Sequence, residues 1–554
     1  MKMVTTKAVR WAARFGLALL LVLITVVSCD QLNTGPYTIK AFFMDPNPCW
    51  NNMQDEVGKF LTEKTGITIE AEFVVGDAVQ KINLIAASGQ YPDIISPKGE
   101  AGVLVKAGAL IDLEPLIEKY APNIKKVIGN QMNRLRYSAE DPKIYILPTV
   151  DAVNHIYYDT DAFFKLQMAA LKEQGYPLVK TLADFERVIA EYVKAHPKTE
   201  DGKPTIGLSL LADDWRFVIS VTNPAFWATG LHDDGEWYID RKTFEAKPHH
   251  FRPEEREYFR WLNHMNDIGL LDKESFIQKY DQYLSKIASG RVVGLIDANW
   301  EIQDAINSLK AAGKFDKIYG RFGVVLKEGI KPAWNAPTGF RGGYGIGITT
   351  SCKDPVRVIK FLDYLASEEG QILINWGIEG KHYVVQNGKR VIPQDVMNLK
   401  INDNNTFRKT TGIGNYWLSL RYGDGVKDST GNYYTTNFPE QILETYTPLE
   451  KEALAKYGVT YWGDLLPKAS EFEPIPWAAA WSIPTPPDSE LNQFWNVEQD
   501  VCRKYIPKAI MAKPSEFDAI YDEFLRELEK ATAKFNKLMT ALVQDRMRLW
   551  GVLK

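Results

Sequence analysis

The 554-residue chain is 45% hydrophobic and 25% charged, with a formal net charge of −4. That mix is globular and excludes disordered and collagen-like classes, while the length calls for about two to four domains. The mildly acidic balance argues against a nucleic-acid partner; the 15 Trp, 26 Tyr and 25 Phe serve a core, or a surface on which amphipathic ligands stack.

Residues 1–28 carry Lys2, Lys7, Arg10 and Arg14 and no acid, and an apolar run extends from Phe15 to Val27. At about 1.5 Å per residue that run spans about 20 Å, short of a bilayer core of about 30 Å. It therefore reads as a signal-peptide segment rather than a spanning helix. Val26, Val27 and Ser28 lead into Cys29, an ending that resembles the bacterial lipobox. The resemblance implies cleavage before Cys29, a lipid on its sulfur and durable anchoring to a membrane. Residues 30–36 then read as a tether. Cys49, Cys352 and Cys502 remain, an odd number without CxxC or Cys/His spacing. Free buried thiols are expected, one disulfide stays open, and structural zinc is not expected.

Beyond the tether, Ile39, Ala41 and Phe43 alternate as a strand does. Asn51 to Lys64 reads as a helix, with Gly66 past its end. Ile67, Ile69, Ala71 and Phe73 give a second strand, Ala78 to Ser88 a helix stopped by Gly89, and Asp93 to Ser96 a short buried strand. This order implies a parallel sheet with right-handed crossovers, and ligands bind at the carboxyl ends of such strands. Two loops stand out on that rule, Asp45 to Asn52 and Ser96 to Ala101.

Farther along, Thr181 and Asp184 form a capping-box pattern, and Phe185, Val188, Ile189, Tyr192 and Val193 a helical stripe. His249 and His250 precede Arg252 and Pro253 in what reads as a polar loop, with no metal expected. Gly339, Gly342, Gly343, Gly345 and Gly347 crowd one segment without a phosphate-binding fingerprint; a strand approached closely by another backbone or a ligand fits them. Asp354 and Pro355 open another helix. Ser515 and Asp518 read as the cap of a long last helix with Phe517, Tyr521, Phe524, Leu528 and Phe535 on its buried face.

Several segments, in order, resemble the extracellular solute-binding proteins of bacterial ABC importers, closest to the carbohydrate-binding family 1 in its long lipoprotein form. They are Ala87 to Ile95, Leu110 to Leu116, Lys143 to Pro148 with Ile156 to Asp159, Ser289 to Trp300, Gly345 to Ile348 with Ser367 to Gly370, and Gly377 to Tyr383. Lys143 follows Pro142 where the family pattern has Gly. The likeness runs from about residue 37 to about 385 and returns weakly at the C-terminus. It implies an α/β, two-lobed, periplasmic-binding-protein-like (type II) fold, each lobe a mainly parallel sheet flanked by helices, with crossover strands between lobes. It also implies hinge closure on a carbohydrate and delivery to a permease. The expected division is 1–28 signal peptide, 29–36 lipidated Cys and tether, 37–150 with 336–390 as lobe 1, and 151–335 with 391–554 as lobe 2. Crossings are expected near 149–153, 335–340 and 385–400.

A sugar site needs aromatic platforms for C–H faces and polar groups for hydroxyls. Trp50, beside Asp45 and Asn47, is a first-lobe platform or a packing ring. Ser96 and Lys98 offer donors from the third strand end. Asn299 and Trp300 end the strand resembling the family's cleft strand, and Trp227 is a second-lobe platform. Trp334, Arg341 and Tyr344 surround the Gly-rich segment; Arg341 forks an acidic sugar or makes a structural ion pair. Trp215, Trp417, Trp462 and Trp481 are left as core or surface. No catalytic residue, cofactor or metal is expected, and the chain is expected to be monomeric. Two other readings stay open, a binder of peptides or other polar solutes and a secreted glycoside hydrolase or lyase, which needs paired carboxylates.

Overall fold

A computed structural model describes residues 35–159, 161, 163–232, 234–334, 342–472, 480–486 and 488–554. The strands are β1 (Tyr37–Phe43), β2 (Ile67–Phe73), β3 (Ile94–Ser96), β4 (Leu147–Pro148), β5 (Phe164–Gln167), β6 (Ile206–Ser209), β7 (Trp237–Ile239), β8 (Ala246–Pro248), β9 (Val292–Ile296), β10 (Tyr319–Phe322), β11 (Gly345–Ile348), β12 (Val384–Gln386) and β13 (Lys389–Val391).

The first sheet has the order β2-β1-β3-β11-β4. β1 runs parallel to β2 and β3, and β11 runs antiparallel to β3 and β4. Both of its faces are covered: Ile39, Ala41 and Phe43 pack into one core, while Phe42 and Met44 pack into another. The period-2 pattern of β1 therefore sorts its side chains between two helical layers. Helix Glu56–Thr65 starts later than the expected Asn51, because Asp55 caps it by accepting from the Gly58 N–H at 2.6 Å. Asn52 and Met53 hold φ of 57° and 59°, outside helical space. Gly66 ends that helix at φ 68° and Gly89 ends helix Ala78–Ser88 at φ 65°, left-handed turns that glycine adopts without penalty.

The second sheet has the order β10-β5-β9-β6. β6 and β9 are parallel, but β5 runs antiparallel to both β9 and β10. This sheet is mixed rather than mainly parallel. Only β5, which follows the first crossover, runs against the β6–β9 direction; β10, antiparallel to β5, shares that direction. Its core unites Phe164, Phe185, Tyr258 and Phe322 with Phe517, Tyr521, Phe524 and Leu528 of the last helix. That helix, Pro514–Leu549, has Pro514 at its first position and Lys513 as N-cap. Ser515 therefore lies inside the helix rather than capping it, since a proline fits the first turn, where its missing N–H has no partner to lose. Asp518 instead holds Arg260 at 2.5 Å.

Three connections join the bodies. The first lies between Pro148 and Phe164 and the second between Phe322 and Gly345; its expected center, 335–340, falls outside the described residues. The third is later than 385–400: Phe407, Ile413, Tyr416, Leu418 and Leu420 belong to the first core, and Ile442 and Tyr446 to the second. Residues 391 to about 420, expected in lobe 2, therefore pack with lobe 1. Their apolar side chains are spaced irregularly, so the sequence carries no periodic sign of the face they cover. The last helix returns to the first body at its far end, where Arg546 donates to the Arg136 and Tyr137 carbonyls at 2.6 and 2.5 Å.

Candidate functional site

β1 and β3 end side by side, with Phe43 opposite Ser96. Just past those ends Lys98 forms an ion pair with Asp45, both side chains about half exposed. Lys98 holds φ 49°, a conformation unusual for a non-glycine residue and frequent at functional sites. Tyr344 joins them: a Cβ on Gly99 would lie 3.5 Å from its hydroxyl. Strand-end placement thus gathers Asp45, Ser96, Lys98 and Tyr344 at one edge of the first sheet.

The second sheet presents a matching edge. β6 and β9 are parallel neighbours; the loop after β6 carries Trp215, and the first turn of the helix after β9 carries Trp300. These rings stack with centroids 5.9 Å apart and planes 15° apart, and they remain 47% and 55% exposed. Arg216 lies between the Trp215 and Tyr280 rings, 4.7 and 4.0 Å from their centroids. Its guanidinium binds both Glu301 oxygens at 2.9 Å and Asp214 at 2.6 Å. Burial raises the Glu301 carboxyl; Arg216 and, from the first lobe, Lys98 pull it back.

Beneath this edge lies a buried polar group. Asn299 opens helix Asn299–Ala311, and its N–H donates to Asp161 at 2.6 Å. Lys165 reaches Asp161 at 3.5 Å and donates to the Asp297 carbonyl. Burial depresses the Lys165 ammonium to about 8, against Asp161 and Asp297. The Asp297 carboxyl is pushed up to about 7 by burial and by Glu301, although Tyr283 and the Ala298 N–H, both at 2.8 Å, donate to it.

The other expected residues are placed differently. Trp50 packs against Phe73 and Tyr416, with centroids at 6.1 and 5.6 Å, and its buried Nε1 makes no hydrogen bond; it is chiefly a packing ring. Asn47 accepts from the Cys49 N–H at 3.1 Å and shapes the loop. Trp227 stacks on Trp334 with centroids 4.3 Å apart, and Phe163 closes the group at 4.3 and 5.1 Å. Both tryptophans lean on the second core, and Phe163, which touches both, accepts from the Asp297 N–H at 3.0 Å. Arg341 and Cys29 lie outside the described residues.

Trp215 was left unassigned by the sequence, yet its signal was present: an apolar strand, Ile206 to Ser209, then a polar loop with a tryptophan. His249 and His250, expected in a polar loop, are fully buried at the end of β8. Cys49, Cys352 and Cys502 are all free. Among the described residues no helix is long and apolar enough to cross a membrane.

Two α/β bodies that turn their strand-end loops toward each other, joined by crossing segments, define a two-lobed binding protein. The chain belongs to the family described as bacterial extracellular solute-binding protein, which matches residues 57–376, more than half its length. It is 26% identical over 243 residues to the fructooligosaccharide ABC transporter substrate-binding protein FusA of Streptococcus pneumoniae, covering 41% of this chain and 43% of that protein. It is 24% identical over 355 residues to lipoprotein LipO of Bacillus subtilis, covering 60% and 64%. The matched stretches thus span less than two thirds of either relative. FusA solved with kestose superposes with a TM-score of 0.64 at 17% identity, covering 92% of this chain and 100% of that one. A solute-binding protein of Bifidobacterium longum infantis, described as binding HMO and associated with an ABC transporter, gives 0.66 at 16% identity, covering 94% and 100%. These solved structures share the two-lobed fold.

Proposed function

We propose that the chain is the extracytoplasmic substrate-binding lipoprotein of an ABC importer, capturing an oligosaccharide between its lobes and passing it to a membrane permease without turning it over. The observation that carries this reading is the exposed Trp215–Trp300 stack, an apolar wall of the kind sugar C–H faces cover. Lys98, Asp45 and Ser96 on the facing edge supply donors and acceptors for hydroxyls, and Asn299 and Tyr344 flank them. Relatives described as binding fructooligosaccharide and HMO support a saccharide of several units. Cys29 is the proposed lipidation site, with residues 30–36 as tether, and the protein acts as a monomer.

The test uses the chain from Asp30 onward, titrated with fructooligosaccharides, milk oligosaccharides and acidic oligosaccharides while Trp fluorescence and melting temperature are followed. A spectral shift and a raised melting temperature, with sugar recovered intact, are expected, because a ligand that binds only the folded state stabilises it by mass action. Cleaved sugar would point to an enzyme, and no response to any sugar would send the search to peptides and other solutes.

A further inference from the structure

A second constellation lies inside the second lobe, away from the strand-end loops. Glu236 immediately precedes β7, and His249 and His250 immediately follow β8, its hairpin partner. Glu255 sits in the first turn of helix Pro253–Asp267, and Glu498 and Cys502 lie one turn apart on helix Glu490–Met511. Glu236 is 2% exposed and the other five 0%. Three carboxylates, two imidazoles and a thiol thus share a dry space, and buried ionic groups are costly unless paired or metal-bound.

The two histidines play different parts. His249 is satisfied on both nitrogens, by Glu255 at 2.6 Å and Glu236 at 3.0 Å. Neither ring nitrogen of His250 completes a hydrogen bond. Its Nε2 instead faces Glu498 at 3.3 Å and Glu236 at 3.6 Å. Cys502 Sγ lies 2.8 Å from the same Glu498 oxygen. Donor atoms of His250, Glu498 and Cys502 lie within 4.8 Å of one another, as do those of Glu236, His249 and His250. Ligands about 2.0–2.3 Å from a tetrahedral ion stand about 3.3–3.8 Å apart, which is the spacing around His250 Nε2.

Protonating both histidines would be the metal-free way to balance the carboxylates. Their ring centroids are only 3.8 Å apart, so two imidazoliums would repel at contact. A protonated His250 would also need an acceptor in line with each N–H, whereas Glu255 at 3.4 Å from Nδ1 and Glu498 and Glu236 at 3.3 and 3.6 Å from Nε2 approach without completing a hydrogen bond. A divalent ion resolves both difficulties. His250 then binds as neutral imidazole and Cys502 as thiolate. His249 stays the imidazolium its two carboxylates hold, Arg252 stands 3.7 Å from Glu255, and the pocket is neutral.

We propose that His250, Glu498 and Cys502 form a structural site for a zinc-class divalent transition metal, with Glu236, 3.6 Å from His250 Nε2, beside them and His249 and Glu255 orienting the cluster. A mixed N, O and S donor set selects that class over calcium or magnesium, which take oxygen ligands. The ion would tie the end of the β7–β8 hairpin to helix Glu490–Met511, which is distant in sequence. It would also set the base of the neighbouring aromatic group, since the His249 ring lies 4.0 Å from that of Phe226, beside Trp227.

The site is tested on the chain from Asp30 onward, independently of any sugar. The protein is expressed with zinc supplied and its metal content is measured; it is then unfolded with chelator and refolded with zinc, with cobalt or with neither. One equivalent of zinc per chain is expected, with a higher melting temperature for the zinc-refolded protein. The cobalt form is expected to show a thiolate charge-transfer band. Cys502→Ser, which keeps the shape of the side chain, should fold, lose that band and retain zinc about tenfold or more weakly. His250→Gln should lose zinc outright. A chain that carries no zinc after purification, and melts identically with and without it, would overturn the site and leave a buried hydrogen-bonded cluster.

Discussion

Trp215 and Trp300 stack face to face at 5.9 Å although one comes from the loop after β6 and the other from the first turn of the helix after β9, and each is about half exposed. An aromatic pair held in solvent buries little area of its own, so packing alone accounts poorly for it. Arg216 fixes one member: it is clamped by Glu301 and Asp214 and lies over the Trp215 ring. The wall is therefore set before any ligand arrives, which lowers the ordering cost of binding.

Replacing either ring tests this. Trp300→Ala or Trp215→Ala should weaken oligosaccharide binding by about 10–100-fold, the range for a central aromatic contact. Stability should change by about 0.5 kcal/mol or less, as for other exposed positions. Calorimetric titration beside thermal melting separates the two effects, and unchanged affinity in both variants would remove the wall from the site.

Lys98 gives a sharper prediction about ligand charge. Its pair with Asp45 is about half exposed, and such pairs contribute about 0–1 kcal/mol to folding. Lys98→Ala should thus leave the melting temperature nearly unchanged while weakening an acidic oligosaccharide more than a neutral one. The loss should shrink as salt rises, because exposed charges are screened. Equal losses for both ligands at every salt concentration would mean that Lys98 acts by shape rather than charge.

Much of the first lobe was legible because its signals are local. Gly66 and Gly89 act within one turn of themselves, and Ile67, Ile69 and Ala71 alternate with polar residues along β2, so strand ends and their loops followed. That rule alone singles out Lys98, Asp45 and Ser96 as candidates. The second lobe was harder because its partners are distant in sequence: Trp215 meets Trp300 only because β6 and β9 are neighbours, and Phe407 to Leu420 fold back onto the first core without a periodic pattern. His249 and His250 misled for the same reason. Beside Arg252 and Pro253 they look exposed, and it is Phe226, Phe259 and Phe524, with helix Glu490–Met511, that bury them.

The Gly-rich strand bears on stability. A Cβ on Gly345 would sit 2.0 Å from the Leu147 carbonyl oxygen and 2.6 Å from the Pro148 Cα. Both are backbone atoms of β4 and cannot move aside without parting the sheet. Gly345→Ala should therefore cost about 3 kcal/mol, the upper range for overpacking. Gly35→Ala, where a Cβ would meet nothing within 4 Å, serves as the control. Urea unfolding of both decides the matter, and equal midpoints would show that β4 yields.

Asp297 makes the stability of the second lobe depend on pH. Its buried carboxyl titrates near 7 in the folded chain rather than in the ordinary carboxylate range, through burial and the charge of Glu301. The folded state thus holds this proton more tightly than the unfolded one. The stabilisation is fully present below about pH 4 and is lost as pH rises toward about 7. Asp297→Asn keeps an acceptor for the Ala298 N–H but does not titrate. Relative to the parent, the variant should gain stability as pH rises from about 4 to 8, by at most about 4 kcal/mol. Urea unfolding at several pH values in that window measures the difference. A difference that stays flat across it would show that Asp297 is ionised throughout, held so by Lys165 and Tyr283.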